Sequence, residues 1–255
     1  MKDSLGDRIK DQYENRTRMF LPRRTYTIIR LDGKAFHTFT KDCNKPFDND
    51  LIFLMNNTAE ELCKNIQGAQ FAYVQSDEIS ILLTDFKKLT SDAWFDGNIQ
   101  KITSVSSSMA TAFFNERKTT LARFKFWERK GPAMFDSRIF TIPDINEVAN
   151  YFIWRQNDAS RNSINMVAQS LYSHKQLQGK SCSQMQDMIH EAGQNWNDYD
   201  VGKKRGRIVT QHTYNGVSAE FEGTVTRKVW TTEEPPIFTQ DTGYLKNMIP
   251  KLGEE

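Results

Sequence analysis

The sequence predicts an α+β chain built on a βαββαβ antiparallel sheet with its helices on one face, and three observations lead there. Short β-branched and aromatic runs alternate with two amphipathic helical stripes. Two of those runs, FAYVQ and ISILLT, abut across a polar turn, the mark of a hairpin. No apolar run approaches the roughly 20 residues that a membrane span requires.

The elements follow in order. Leu5, Ile9 and Tyr13 fall on one face of a short opening helix. Residues 25–31, TYTIIRL, read as strand β1, which ends on Asp32 and Gly33. A loop with Lys41, Lys45 and Pro46 leads to a helix, α1, over residues 50–66, where Leu51, Leu54, Met55, Thr58, Leu62 and Ile66 trace one stripe and Asp48 or Asn49 serves as N-cap. Residues 71–75 and 79–84 are β2 and β3, with Ser76, Asp77 and Glu78 at the hairpin tip. Ile102, Val105, Met109 and Phe113 give a second helix, α2, within residues 98–114, and FDSRIFTI, residues 135–142, gives β4.

This order is the split βαβ, ferredoxin-like arrangement, in which β1 lies antiparallel beside β3. Asp32 at the end of β1 therefore meets Asp77 and Glu78 at the start of β3. Beyond residue 142, Pro143 and Asp144 open a helix running to Trp154, a second covers residues 160–174, and a third begins at a capping box of Ser183 with Gln186. KKRGRIVT and GTVTRKVW read as a closing hairpin or sheet extension. The organisation is a core over residues 1–142 and a mainly helical extension over 143–255, packed on that core.

Lys+Arg 34 against Asp+Glu 32 leaves a net charge of +2, so a nucleic-acid partner must be argued from local patches. Cys43, Cys63 and Cys182 are too few and too scattered for a disulfide framework or a short-spaced zinc site, and point to reduced thiols in a cytoplasmic protein. The N-terminus mixes acids with bases and lacks the apolar core of a signal peptide.

An ionised carboxylate ending a buried strand needs a positive partner. Asp32-Gly33 is an ordinary turn dipeptide, and Ser-Asp-Glu an ordinary solvated tip. The alternative is that Asp32, Asp77 and Glu78, with no histidine or cysteine among them, hold a hard cation with oxygen ligands, magnesium above all, which takes its other ligands from substrate phosphates. On that alternative Gly33 leaves room for a phosphate or a backbone to approach. Lys34, Lys41, Lys45 and Lys101 are basic groups that could meet a triphosphate, although a lone lysine is more often a solvated surface residue. Arg30 shares a face of β1 with Asp32 and Ile28, and is placed to pair with Asp32 or Glu78. Residues 117–130 hold six bases, Arg117, Lys118, Arg123, Lys125, Arg129 and Lys130, against Glu128 alone, interleaved with Phe124, Phe126 and Trp127. Such a patch suits RNA, or equally a solvated hairpin or a subunit contact. Lys203, Lys204, Arg205 and Arg207 form a second basic stretch.

Three segments together, RLDGKAFHTF, then NKPFDNDL with YVQSDEIS, then YFIWRQNDASRN, resemble the tRNA-histidine guanylyltransferase superfamily in residues, order and spacing, over about residues 5–210. The resemblance implies a palm-like fold shared with polymerases and nucleotide cyclases. It implies that Asp32 and Asp77 bind two Mg2+ ions with the Gly33 carbonyl as a further ligand and Glu78 alongside. It places Arg30, Lys34, Ala35, Phe36, His37, Lys45, Ser76 and Lys101 at nucleotide or triphosphate positions, and Arg123, Lys125, Arg129, Lys130, Arg155, Asn162, Lys203, Lys204 and Arg205 toward RNA. The family chemistry activates a tRNA 5′-phosphate with ATP or GTP, releasing pyrophosphate; the 3′-hydroxyl of an incoming nucleoside triphosphate then attacks that end and expels the nucleoside monophosphate. Members are typically tetrameric.

One departure bears on specificity. Where enzymes that add guanosine to histidine tRNA carry His-Ile-Asn-Asn, this chain has Ser160, Arg161, Asn162 and Ser163. That resembles the guanylyltransferase-like branch, which repairs 5′-truncated tRNA by templated 3′-to-5′ addition. The other readings are non-templated guanosine addition to histidine tRNA, a palm-fold nucleotide cyclase, and a non-catalytic RNA-binding module, although no aromatic RNP1 run is present.

Overall fold

The computed structural model describes residues 3–120, 131–217 and 224–253. Its sheet has six strands: β1 Tyr26–Gly33, β2 Ala69–Gln75, β3 Glu78–Leu83, β4 Phe135–Ile142, β5 Arg207–Val217 and β6 Thr224–Glu233. They lie in the order β4-β1-β3-β2-β5-β6, each antiparallel to its neighbours. The first four carry the expected βαββαβ order, and the two basic runs of the second half extend the sheet at the β2 edge.

The helices that connect them are α1 Asn49–Asn65 and α2 Ile99–Thr120. Asp48 is the cap of α1, accepting from the Leu51 amide at 2.9 Å. Both helices pack on one face, where Leu54, Met55, Leu62 and Phe114 meet Ile29, Leu31, Ile79 and Ile81. The opposite face is covered as well, contrary to the expectation of helices on one side. Helix α3, Ile145–Leu171, lays Val148 and Phe152 against Ile28, Phe71, Tyr73 and Leu82, with Phe238 and Leu245 completing the layer. Ile28 and Ile29 are consequently both fully buried. The run TYTIIRL shows no clean alternation because its apolar residues face a helix layer on each side.

Helix α3 is also one continuous helix of 27 residues rather than two. The polar stretch Asn157 to Ser160 reads as a break, yet it holds neither glycine nor proline, and Asp158 bonds back to Arg155 and forward to Arg161 within the helix. At 1.5 Å per residue it spans about 40 Å, so its second half builds a separate cluster, with Ile164 and Val167 packed on Ile189 and Trp196. The next helix, α4 Cys182–Glu191, is capped by Ser181 with Gln184, not by Ser183 with Gln186. The Ser-x-x-Gln pattern fits both registers, and the earlier one is used. In the opening helix Ser4–Ile9 and the turn Lys10–Glu14, Leu5, Ile9 and Tyr13 stay exposed.

Among the described residues no helix is long and apolar enough to cross a membrane.

Candidate active site

Register brings the acids together. Asp32 of β1 lies directly opposite Glu78 of β3 and opposite Asp136 of β4. One step back along the same face, Arg30 lies opposite Ser80 and Arg138. A row of acids at the sheet's edge is thus backed by a row with two bases, on the face that α3 covers.

The β2–β3 turn consists of Ser76 and Asp77, with Ser76 at a left-handed φ of 46°. The Gly33 amide donates to the Asp77 carbonyl at 3.1 Å, which ties the end of β1 to that turn. Gly33 has little room of its own: an added Cβ would lie 2.3 Å from the Phe36 ring. The space beside the glycine is filled by that ring, contrary to the expectation that it stands open to a phosphate.

Burial first, and the nearby Asp32 carboxylate second, push the Asp77 carboxyl up from 3.8 to about 6. Arg138 approaches Asp32 only at 3.9 Å, on the exposed side. Two carboxylates are therefore held close without full compensation from the chain, which is the arrangement a bound cation relieves. Among the described residues no three His, Cys, Asp or Glu side chains converge on one point. The donor set fits magnesium, which is commonly held by one or two carboxylates and completes its shell with phosphates and water.

Glu78 is a different kind of acid. It is buried, and both its oxygens are taken: Arg155 donates to Oε1 at 2.8 Å and to Oε2 at 3.0 Å, and Arg30 donates to Oε2 at 2.8 Å. Arg155 also donates to Asp158 at 2.7 Å. Of the three acids the sequence singled out, Asp32 and Asp77 are left to face a cation.

Several expectations change on this geometry. Arg155 is 3% exposed, so it braces Glu78 and does not face RNA. The Phe36 side chain is buried among Phe39, Phe114 and Phe135, which leaves only its main chain to meet a nucleotide. Lys204 is buried and donates to the Asn197 carbonyl at 2.6 Å, Lys203 pairs with Asp200 at 2.8 Å, and Arg205 lies over the Trp196 ring at 5.2 Å. That basic stretch is largely consumed inside the chain.

Lys101 stands at the wrong end of the sheet. Its neighbour Ile102 lines a pocket with Thr27 and Leu83, five strand positions from Asp32, about 17 Å along β1. Helix α2 starts at that far end because it must return the chain to β4, whose first residue, Phe135, pairs with Gly33. Arg123, Lys125, Arg129 and Lys130 lie outside the described residues.

Other expected residues lie at the surface. Lys34, Ala35, His37 and Lys45 are exposed on the segment that leaves β1. A cleft beside the turn joins Ser76 to Phe47, Leu51, Asn162, Met166 and Lys203. The sequence reading missed Asp136 and Arg138, although their alternation in FDSRIF, set antiparallel to Arg30 and Asp32, was the available signal.

A family model described as tRNAHis guanylyltransferase matches residues 6–143. The chain is similar to a solved bacterial tRNA(His) guanylyltransferase (Thg1)-like protein in complex with ATP, with TM-score 0.85 and 46% identity, covering 97% of this chain and 99% of that one. A structure of such a bacterial protein in complex with GTP gives TM-score 0.76 and 44% identity over 96% and 99%. The solved tRNA(His) guanylyltransferase of Saccharomyces cerevisiae gives TM-score 0.66 and 27% identity over 79% and 91%. The matched residues carry β1 through β4 and with them Asp32 and Asp77, so the chain belongs to the tRNAHis guanylyltransferase family of nucleotidyltransferases.

Proposed function

We propose that this enzyme extends the 5′ end of truncated tRNA in the 3′-to-5′ direction, with the incoming nucleotide chosen by pairing to the acceptor strand. The observation that carries the reading is the convergence of Asp32 and Asp77, buried enough to raise one of them toward pH 6, at an edge that also presents Ser76 and the segment of Lys34, His37 and Lys45. Asp32, Asp77 and the Gly33 carbonyl would hold Mg2+, and the metal would supply charge for an in-line displacement at phosphorus. Lys34, Lys45 and Ser76, with His37, clamp the triphosphate of ATP, GTP or another nucleoside triphosphate and orient it. Positioning and charge then serve both activation and addition.

The templated form of the reaction is favoured by the second half of α3. Ser160 and Ser163 stand where histidine-specific enzymes carry the outer residues of His-Ile-Asn-Asn, and both hydroxyls are spent within the chain, on the Gln156 carbonyl at 3.0 Å and the Lys204 carbonyl at 2.9 Å. No imidazole remains there to read a histidine tRNA. On this reading the enzyme is a cytoplasmic homotetramer, and the exposed face of Leu5, Ile9 and Tyr13 is a surface available to that assembly.

The test is extension of two labelled tRNAs, a full-length histidine tRNA and a tRNA lacking its first nucleotide, with magnesium, ATP and each nucleoside triphosphate in turn. Product from the truncated tRNA whose added base follows the template is the expected result. Preferred guanosine addition to full-length histidine tRNA would replace repair by the histidine-specific reaction. No extension of either, by a folded enzyme, would turn attention to cyclase chemistry.

A further inference from the structure

Trp154 lies next to the acidic edge with its side chain half in solvent. Its relative exposure is 52%, while Trp196 is buried and Trp94 and Trp230 are partly buried. The Arg155 guanidinium sits over its ring at 4.3 Å, and that of Arg30 at 6.0 Å. Tyr151 meets it edge-on at 5.9 Å. Arg155 is fixed in turn by Glu78 and Asp158, so the ring rests on a cation that cannot easily move. Arg30 and Arg155 both donate to Glu78, which lies opposite Asp32, so the two guanidinium groups beside the ring tie it to the row of acids.

A large apolar ring held rigidly and left half exposed beside a phosphoryl-transfer centre is suited to one chemical class of ligand, a planar nucleobase. Stacking is tolerant of base identity. That matches an enzyme in which pairing to a template, not a base-reading pocket, selects the nucleotide. We propose that Trp154 is the stacking platform for a nucleobase at this site, either the base of the RNA 5′-terminal nucleotide or that of the nucleoside triphosphate. The inference rests on the 3′-to-5′ extension reading.

The experiment compares wild type with Trp154→Ala and Trp154→Phe in two arms: equilibrium binding of a 5′-truncated tRNA without nucleotide, and the KM for ATP at saturating tRNA. Trp154→Ala is expected to weaken one arm by on the order of tenfold, with kcat changed much less and Trp154→Phe keeping most of the affinity. Loss in the RNA arm assigns the platform to the RNA end, and loss in the ATP arm assigns it to the nucleotide. Quenching of tryptophan fluorescence by the same ligand in wild type, diminished in Trp154→Phe, reads the contact independently should Trp154→Ala fold poorly. Wild-type extension with neither affinity altered and no difference in quenching would overturn the platform alone. Absence of wild-type extension would overturn the extension reading, while the two binding arms still report on the ring.

Discussion

Asp77→Asn is expected to abolish nucleotide addition and, in the same protein, to raise stability at neutral pH when divalent cations are absent. The first effect follows from removing one of the two carboxylates free to hold the metal charge; a loss of several kcal/mol of charge stabilisation corresponds to about a thousandfold or more in rate. The second follows from the raised pKa of Asp77. Because its carboxyl is held at about 6 instead of 3.8, keeping it ionised at pH 7 costs the folded chain up to ~3 kcal/mol. The folded state binds this proton more tightly than the unfolded one, so the group's cost is absent below pH 3.8, grows as the pH rises and is complete above about 6. Denaturant unfolding in chelator should show the variant more stable than wild type at pH 7, and the gap should close toward pH 4. Magnesium should stabilise wild type and leave the variant little changed. A variant that still extends tRNA would remove Asp77 from the chemistry.

The pH dependence of activity follows with the opposite sense. Metal binding needs Asp77 ionised, so at low magnesium activity is expected to rise with pH through about 6. Saturating magnesium should move that rise to lower pH, because the bound cation favours the carboxylate. An activity profile flat from pH 5 to 7 at low magnesium would contradict the assignment.

What the sequence could carry was the convergence of Asp32 with Asp77, because it depends only on strand order, and strand order follows from periodicity and turns. It carried the pairing of Arg30 with Glu78 but not the second clamp on that acid. That depends on Arg155, a residue of a helix on the other layer, and nothing in the local pattern of YFIWRQ distinguishes an arginine facing the core from one facing RNA. The same limit applies to Lys203 and Lys204, whose neighbours suggest a solvated patch until Asp200 and the Asn197 carbonyl are seen to take them. Lys101 misled for a geometric reason: a helix that crosses back over the sheet puts its first turn far from its last. The continuity of α3 was hidden because its polar midpoint is stabilised by ion pairs within the helix rather than by apolar spacing.

Arg155→Met tests whether the buried ion pair aligns the metal turn or merely glues α3 to the sheet. Removing one partner of a buried pair leaves Glu78 partly uncompensated and should cost on the order of 3–5 kcal/mol. Against a total stability of about 5–15 kcal/mol, the variant should unfold at markedly lower denaturant, and Arg155→Lys should be milder, since it keeps the charge but not the paired contacts. The companion is the double variant Arg155→Met with Glu78→Gln. It removes the stranded charge, while the carboxamide oxygen it introduces can still accept from Arg30, so stability should largely return. Activity gives the second reading. Glu78 is the residue after Asp77 and lies opposite Asp32, so its anchorage to α3 sets where both free carboxylates point. If that anchorage matters, the double variant will be stable and still slow, and will need more magnesium than wild type to reach half its maximal rate. If the recovered fold brings full activity with it, Arg155 serves stability alone and the two carboxylates are aligned by the strands themselves.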